Sequence, residues 1–332
     1  MASFALIGAL GLFLLGTRSS EKLSQFSFTV SVVLVTVAAI SFPQVFVSWG
    51  AFKLSALVIP LLQLIMFGMG TTMSLKDFAG VLKMPKAVGL GLVCQFTIMP
   101  LSGFLIVALL EVPPEMAAGI ILLGASPSGL SSNVMTYIAK GNLALSVTLT
   151  AVATMVAPFM TPFLMEILAG EIVPIDAGAM MISMAKIVVV PVVAGLAYNY
   201  IVGDRFPAMA TVLPKISMAG IIIIVGIVTA AGRDNLLAIG SVLVVAAILH
   251  NSAGYLLGYW SCRLTGVSVR DSRTIAIEVG LQNSGLAAGL ALEMGKMATV
   301  GLPSAVFSSW MNFSGSFLAN YWRAKPVDDS RL

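Results

Sequence analysis

The chain has 332 residues, of which 58% are hydrophobic and only 10% are charged, and its formal net charge is +4. Soluble globular domains carry about 25% charged residues, so this composition excludes an ordinary soluble protein and indicates a surface that faces lipid. The basic residues are scattered over connecting segments and form no patch, which excludes a nucleic-acid-binding protein.

The N-terminal segment, residues 1–20, begins with an apolar stretch at 1–16, which is short for a membrane span. It resembles the apolar region of a secretory signal, but it lacks the basic start of one, and Arg18 and Lys22 follow it. We interpret it as an extra interfacial or partly inserted segment.

Ten apolar spans follow, and each is predicted to be a helix, because only helices and closed barrels satisfy their backbone hydrogen bonds in lipid. The run 221–225 is continuously apolar, whereas barrel strands alternate. The predicted spans are 28–48, 54–73, 86–110, 116–139, 142–168, 178–201, 214–232, 235–261, 274–293 and 299–322.

The basic residues predict the orientation of these spans. With the residues before the first span placed inside the cell, the inside segments hold 14 of the 18 Lys and Arg residues. The outside segments hold only Lys53, Arg233 and Lys296, and Lys186 lies within the sixth span. Because cytoplasmic loops are enriched in Lys and Arg, we predict a multi-pass protein of the inner (plasma) membrane with a cytoplasmic C-terminus.

The spacing of the spans suggests an internal repeat. The first and sixth spans begin about 150 residues apart, as do the third and eighth. Five spans per half is an odd number, so the second half must enter the membrane inverted. Inverted repeats are typical of secondary transporters.

Two spans are interrupted by polar and helix-breaking residues at matching places in the two halves. The fourth span contains Gly-Ala-Ser-Pro-Ser-Gly-Leu-Ser-Ser-Asn at 124–133, and the ninth contains Glu-Val-Gly-Leu-Gln-Asn-Ser-Gly at 278–285. Unwound backbone exposes carbonyl oxygens that suit a cation, and half-helices that restart there direct positive dipole ends that suit an anion. Such paired breaks predict a transport site.

Glu278 is the residue in the ninth span with the strongest functional signal. An ionisable side chain inside a span costs about 2.5–3.5 kcal/mol on insertion scales, so such a residue usually has a function. We place Gln282 one helical turn later on the same face, where its amide oxygen and the carboxylate would suit a sodium ion. The alternative is a glutamate that reaches the interface near a helix end.

Other polar residues carry weaker signals. Ser146 and Thr150 share one face of the fifth span but are also typical helix-packing residues, and Gln95 is a lone amide in the third span. His250, in the eighth span, is either a proton relay or, as we favour, a packed and hydrogen-bonded side chain.

The chain resembles the bile acid:sodium symporter family, especially its bacterial members, over residues 54–322. The stretch Glu-Val-Gly-Leu-Gln-Asn-Ser-Gly at 278–285 carries the most specific part of the resemblance. The other matching stretches are 67–70, 132–137, 141–147 and 312–316.

The resemblance implies an all-α membrane protein of ten transmembrane helices in two inverted five-helix repeats, with broken, crossing helices four and nine. The whole chain, 1–332, would form one transporter domain. Panel helices would lie in 28–80 and 178–232, and core helices in 81–170 and 235–322.

The resemblance also implies two sodium ions as the coupling ions. The first site would use Ser132, Asn133, Ser146, Thr150 and Glu278. The second would use Gln95, Glu278 and Gln282 with the backbone carbonyls of Val279 and Leu281. Asn283 and Asn312 would face the substrate, as would Leu130 and Ser131, which stand where bacterial relatives often have Thr-Ala.

We therefore expect a sodium-coupled symporter of small organic anions, either bile-acid-like or small carboxylates such as pantoate or a 2-oxo acid, and not an enzyme. The first alternative is a proton-coupled or uncoupled anion carrier that uses Glu278 alone. An intramembrane hydrolase is a remote alternative, because the single histidine leaves no HExxH motif.

Overall fold

The computed structural model describes residues 2–17, 27–205, 209–325 and 327. Arg18, Lys22 and Arg331, which entered the charge count, lie outside the described residues. The expected all-α membrane protein is confirmed, since several helices are long and apolar enough to cross a membrane. The six such segments are Leu54–Thr72, Pro85–Leu109, Leu143–Ala169, Ala177–Val202, Val212–Ala231 and Arg233–Leu264.

The first predicted span, 28–48, is shorter in the structure than expected. Helix α1 (Ala2–Thr17) packs against α2 (Ser27–Ser41), and α2 ends before Pro43. A residue that precedes proline is disfavoured in the helical conformation, and Phe42 has φ −133° and ψ 61°. A short helix α3 (Pro43–Val47) and a hairpin of β1 (Ser48–Trp49) and β2 (Phe52–Lys53) then connect α2 to the next predicted span.

One helix in the first half was not predicted. After a 3₁₀ turn at Leu54–Leu57 and α4 (Val58–Thr72), the segment expected to be a loop forms α5 (Leu75–Lys83). A capping box starts α5: the Ser74 amide donates to Asp77 Oδ2 at 2.6 Å. The remaining first-half helices are α6 (Pro85–Leu109), α7 (Pro114–Ala125), α8 (Leu130–Ile138) and α9 (Leu143–Ala169).

Two second-half helices begin five residues before their predicted spans, which were drawn from 214 and 274. One begins at Met209, and Pro214 lies inside it. The other begins at Val269, because the Ser268 side chain accepts a hydrogen bond from the Asp271 amide and caps the helix there. The helices are α10 (Ala177–Met184), α11 (Val190–Val202), α12 (Met209–Ala231), α13 (Arg233–Leu264), α14 (Val269–Gly280), α15 (Ser284–Glu293) and α16 (Leu302–Arg323).

The sixth predicted span, 178–201, contains an irregular turn. A π-helical turn at Ala185–Val189 joins α10 to α11 just before Pro191, which has no amide proton to donate to the preceding turn. Lys186 is exposed in this turn, and its carbonyl accepts a hydrogen bond from Gln63 Nε2 at 3.4 Å.

The helices pack in two sets. In the first, α4 packs against α11 and α12, and α12 packs against α2. In the second, α6 packs against α7, α9 and α13, while α13 packs against α14 and α16. The half-helix α15 touches members of both sets, since it contacts α4, α12 and α16, whereas α8 packs against α9, α14 and α16.

The two helix breaks meet in space. The chain is non-helical between α7 and α8 and again between α14 and α15, and Ser128 and Gln282 form an antiparallel bridge between the two segments. The Gly129 amide donates to the Leu281 carbonyl at 2.9 Å, and the Asn283 amide donates to the Pro127 carbonyl at 2.9 Å. This pairing satisfies backbone groups that lipid could not satisfy.

Candidate ion and anion site

Glu278 lies in the last turn of α14 and is only 3% exposed. Ser146 Oγ donates to its Oε1 at 2.5 Å, and Thr150 Oγ1 donates to its Oε2 at 2.8 Å. Both hydroxyls come from successive turns of α9, so the predicted common face of Ser146 and Thr150 is directed at the carboxylate. Among the described residues, no lysine, arginine or histidine side chain forms an ion pair with Glu278.

The oxygens around Glu278 outnumber the protons available to them. Asn133 Oδ1 lies 2.8 Å from Ser146 Oγ and 3.4 Å from Thr150 Oγ1, yet each hydroxyl has one proton and Glu278 attracts both. Ser132 Oγ, one residue before Asn133, donates to the Gly129 carbonyl at 2.7 Å. A cluster of oxygen acceptors around one carboxylate is the kind of site that binds a hard cation.

Gln95 and Gln282 form a second polar cluster beside the breaks. Gln95 Nε2 donates to Gln282 Oε1 at 2.7 Å and to the Ser126 carbonyl at 2.8 Å. Gln95 Oε1 is buried, and within the described part of the chain it has no hydrogen-bond partner. A buried acceptor without a donor is costly, so this atom is available to a cation.

The prediction that Gln282 continues the helical face of Glu278 is wrong. Helix α14 ends at Gly280, so Gln282 lies in the break, where helical spacing no longer applies. Its Nε2 folds back and donates to the Val279 carbonyl at 2.6 Å, while the Leu281 carbonyl accepts from the Gly129 amide. Each carbonyl oxygen has a second lone pair.

A cavity of about 400 Å³ inside the protein, the inner cavity, borders the oxygen atoms around Glu278. Leu130, Ser131 and Asn133 of α8 line it, together with Thr72 and Met218 from the opposite set of helices. Its wall is mostly apolar, and among the described residues that line it none is charged. Asn133 therefore stands between the cavity and the oxygens around Glu278.

A smaller pocket adjoins the inner cavity at the breaks, and Leu130 and Ser131 line both. Asn283 and Asn312 also line this pocket. Asn283 Oδ1 accepts from the Leu286 amide at 3.0 Å and caps α15, which leaves its Nδ2 for a ligand. Asn312 Nδ2 donates to the Ser308 carbonyl at 2.8 Å, and Asn312 Oδ1 is buried without a partner in the described structure.

Ser308 is a residue of this site that the sequence analysis missed. Ser308 lines the pocket with an unpartnered Oγ, but it lies in an apolar helix outside any matched stretch. His250 is fully buried, and its Nε2 lies 2.9 Å from the Met99 carbonyl, which favours the packed interpretation over a proton relay.

Comparison with known proteins gives one consistent result. The family described as the Sodium Bile acid symporter family matches residues 59–239. The chain is 41% identical to YocS, an uncharacterized sodium-dependent transporter of Bacillus subtilis (strain 168), over 309 residues. The aligned residues make up 92% of this chain and 94% of that one.

Two further relatives come from eukaryotes. A probable chloroplastic sodium/metabolite cotransporter of Arabidopsis thaliana, BASS1, is 40% identical over 262 residues, which are 79% of this chain and 65% of that one. The human ileal sodium/bile acid cotransporter is 33% identical over 242 residues, which are 70% of this chain and 68% of that one.

Proposed function

The chain belongs to the sodium bile acid symporter family, and from that premise we propose that it imports a small organic anion together with two sodium ions by alternating access. It is a sodium-dependent membrane transporter and not an enzyme, as its relatives' names state. The observation that carries the proposal is the set of oxygen acceptors around Glu278 beside an uncharged cavity.

We infer the architecture of ten spans in two inverted repeats. The panel would comprise 28–80 and 178–232 and the core 81–170 and 235–322, with 1–20 as an extra segment. The two packing sets support this division, since α4, α11 and α12 pack together and α6, α9 and α13 belong to the other set. The protein would lie in the inner membrane with its C-terminus in the cytoplasm.

The first sodium ion would bind among Ser132, Asn133, Ser146, Thr150 and Glu278. The ion would lie where the hydroxyl protons of Ser146 and Thr150 now form hydrogen bonds. The two hydroxyl oxygens would direct their lone pairs at the ion, and Asn133 Oδ1 would also bind it. The carboxylate supplies the single compensating negative charge, and burial keeps water from competing with it.

The second sodium ion would bind between Gln95, Glu278 and Gln282 with the carbonyls of Val279 and Leu281. The unpartnered Gln95 Oε1 supports this assignment. The Val279 carbonyl, which accepts from Gln282 Nε2 at 2.6 Å, would bind the ion through its second lone pair. Both ions would share Glu278, so binding of either would lower the repulsion that a bare carboxylate exerts on the transported anion.

The transported anion would be a monoanion with an apolar body. Each half-helix N-terminus, at Leu130 and at Ser284, carries roughly half a positive charge, so the two together match about one negative charge. Asn312 Oδ1 and Ser308 Oγ would bind a hydroxyl or amide of the substrate. The apolar wall of the inner cavity would contact the rest of a bile-acid-like molecule or of a small carboxylate such as pantoate or a 2-oxo acid.

The described conformation supports a cavity that opens toward the cytoplasm. Thr72, Ile138 and Val147 line it and lie near segments predicted to be cytoplasmic. At the opposite end, Ser183 Oγ donates to Glu293 Oε2 at 3.1 Å and joins α10 to α15. Alternating access would require this outer contact to break as the inner cavity closes.

Sodium is expected to raise the thermal stability of the purified protein, and potassium at equal concentration is not. A ligand that binds only the native state stabilises it by about 2.7 kcal/mol at a hundred times its Kd. The measurement is a melting curve in each salt, followed by anion uptake into liposomes with either salt outside. Uptake that follows a proton gradient equally well in both salts would contradict the proposal in favour of a proton-coupled carrier.

Monocarboxylates are expected to add to the sodium-induced stabilisation, and dicarboxylates of matched size are not. A second negative charge would lie uncompensated in a cavity of low polarity, which opposes binding. The test is a thermal-shift panel in sodium that pairs hydroxy, 2-oxo and bile acids with size-matched dicarboxylates. Stabilisation by dicarboxylates alone would refute the charge match at the helix ends.

A further inference from the structure

Asn251 is a buried amide in the interior of α13, with 1% of its surface exposed. Its Nδ2 donates to the Gly280 carbonyl at 2.7 Å, at the residue where α14 ends. The last carbonyls of a helix have no donor within the helix, and in a membrane water does not reach them. Asn251 thus supplies from another helix the donor that this carbonyl lacks.

The orientation of the Asn251 amide is determined by its neighbours. A carbonyl only accepts, so Nδ2 must face Gly280 and Oδ1 must face away. Oδ1 accepts from Ser314 Oγ at 2.5 Å, and the Tyr255 hydroxyl lies 3.3 Å from the same Ser314 oxygen. These hydrogen bonds join α13, α14 and α16 at the end of α14, next to the second break.

Close packing leaves no room for a substitute donor beside Gly280. A Cβ added at Gly254 would lie 2.8 Å from the Gly280 Cα, so the backbones of α13 and α14 are in contact there. A Cβ added at Gly280 would overlap the ring of Tyr255. Gly280 itself has no side chain to restrict its backbone, so its conformation depends on this packing and on the Asn251 hydrogen bond.

The first break has the same arrangement. There Gln95 Nε2, from α6, donates at 2.8 Å to the carbonyl of Ser126, which follows the end of α7. The two partners are 31 residues apart in the first pair and 29 in the second. At each break, therefore, one amide side chain from the preceding long helix donates to a carbonyl at the end of the first half-helix or one residue beyond it.

We propose that Asn251 is a positioning residue for sodium: it holds Gly280 so that the carbonyls of Val279 and Leu281 are directed toward the second ion. The three residues are consecutive, and planar peptide groups couple the direction of one carbonyl to those of its neighbours. This inference rests on the proposed sodium sites but assigns a role to a residue outside both of them. Ser314 orients Asn251 and so acts one step further away.

The test is the sodium dependence of anion uptake by Asn251→Leu, which keeps the side-chain size and removes the donor. We expect the sodium half-saturation to rise about tenfold, because the unpartnered Gly280 carbonyl no longer holds the ion's ligands in place. The anion half-saturation at saturating sodium should change little. The control is Asn199→Leu, which removes an amide hydrogen bond of 2.8 Å to the Met73 carbonyl at the end of α4, away from the breaks.

A wild-type sodium half-saturation in Asn251→Leu would overturn the proposal, as would an equal rise in Asn199→Leu. Ser314→Ala, a milder change, should raise the sodium half-saturation by a smaller factor, and it decides the matter if Asn251→Leu does not fold. Equal increases in the sodium and anion half-saturations would indicate a general packing defect and would also overturn it. The wild type in sodium and in potassium tests the proposed function separately.

Discussion

Replacement of Glu278 by glutamine is expected to abolish sodium-driven uptake while the protein still folds. Glutamine keeps the volume and one carbonyl oxygen, so one of the two hydroxyls that now donate to Glu278, Ser146 at 2.5 Å or Thr150 at 2.8 Å, retains its acceptor. The other hydroxyl meets the amide NH2 group and can accept a hydrogen bond from it, because a hydroxyl both donates and accepts. The variant thus loses the negative charge and one acceptor oxygen. Because an intramembrane charge costs about 2.5–3.5 kcal/mol on insertion scales, the sodium-free variant should be at least as stable as the wild type.

The loss of function follows from the shared position of Glu278 in both proposed sodium sites. Without the carboxylate, two sodium ions would lie close together among neutral oxygens, and their repulsion is strong where water is scarce. Glu278→Asp keeps the charge but shortens the reach to the α9 hydroxyls. We therefore expect Glu278→Asp to keep partial uptake with a higher sodium half-saturation.

The decisive measurement for Glu278 is uptake against sodium concentration in liposomes, with sodium-induced thermal stabilisation as a second readout. The control is Glu166→Gln, the same exchange at an exposed glutamate near the end of α9, which should behave as the wild type. A Glu278→Gln variant with a near-normal rate and sodium half-saturation would refute the two-site mechanism.

Gly195→Ala is expected to cause a large loss of stability, although it adds a single methyl group. A Cβ at Gly195 of α11 would overlap the Phe67 carbonyl of α4, and a Cβ at Gly70 of α4 would overlap the Val192 carbonyl of α11. The obstructing atoms belong to the backbone, so rotation of a side chain cannot relieve the overlap. Small residues at such crossings let membrane helices approach closely, and overpacking costs about 1–3 kcal/mol.

The stability test compares Gly195→Ala with Gly89→Ala by melting temperature in detergent. Gly89 lies in α6 with nothing within 4 Å of an added Cβ, so alanine should be neutral or mildly stabilising there. A similar decrease of the melting temperature in Gly70→Ala would support a single close crossing of α4 and α11. An unchanged melting temperature in Gly195→Ala would contradict the observed packing.

The class of the protein and the places of its breaks were accessible from the sequence, because they depend on local properties. Hydrophobic composition marks the spans, and a run of glycine and polar residues, with a proline in the first break, favours an interruption of the helix. An acidic residue amid Ile275, Ile277 and Val279 is unusual in any membrane span, so Glu278 could be singled out before its neighbours were known. The family resemblance added Gln95, Ser146 and Thr150, which local context alone left as packing residues.

Contacts between distant residues were decided only by the tertiary structure. Gln95 meets Gln282 across 187 residues, and no periodicity within either helix encodes that meeting. The helical spacing assumed for Gln282 failed because α14 ends at Gly280, and that end is stabilised by Asn251 from another helix. Local sequence determines where a helix ends. The packing of the helices determines which group forms a hydrogen bond with each backbone carbonyl and amide that is exposed at that end.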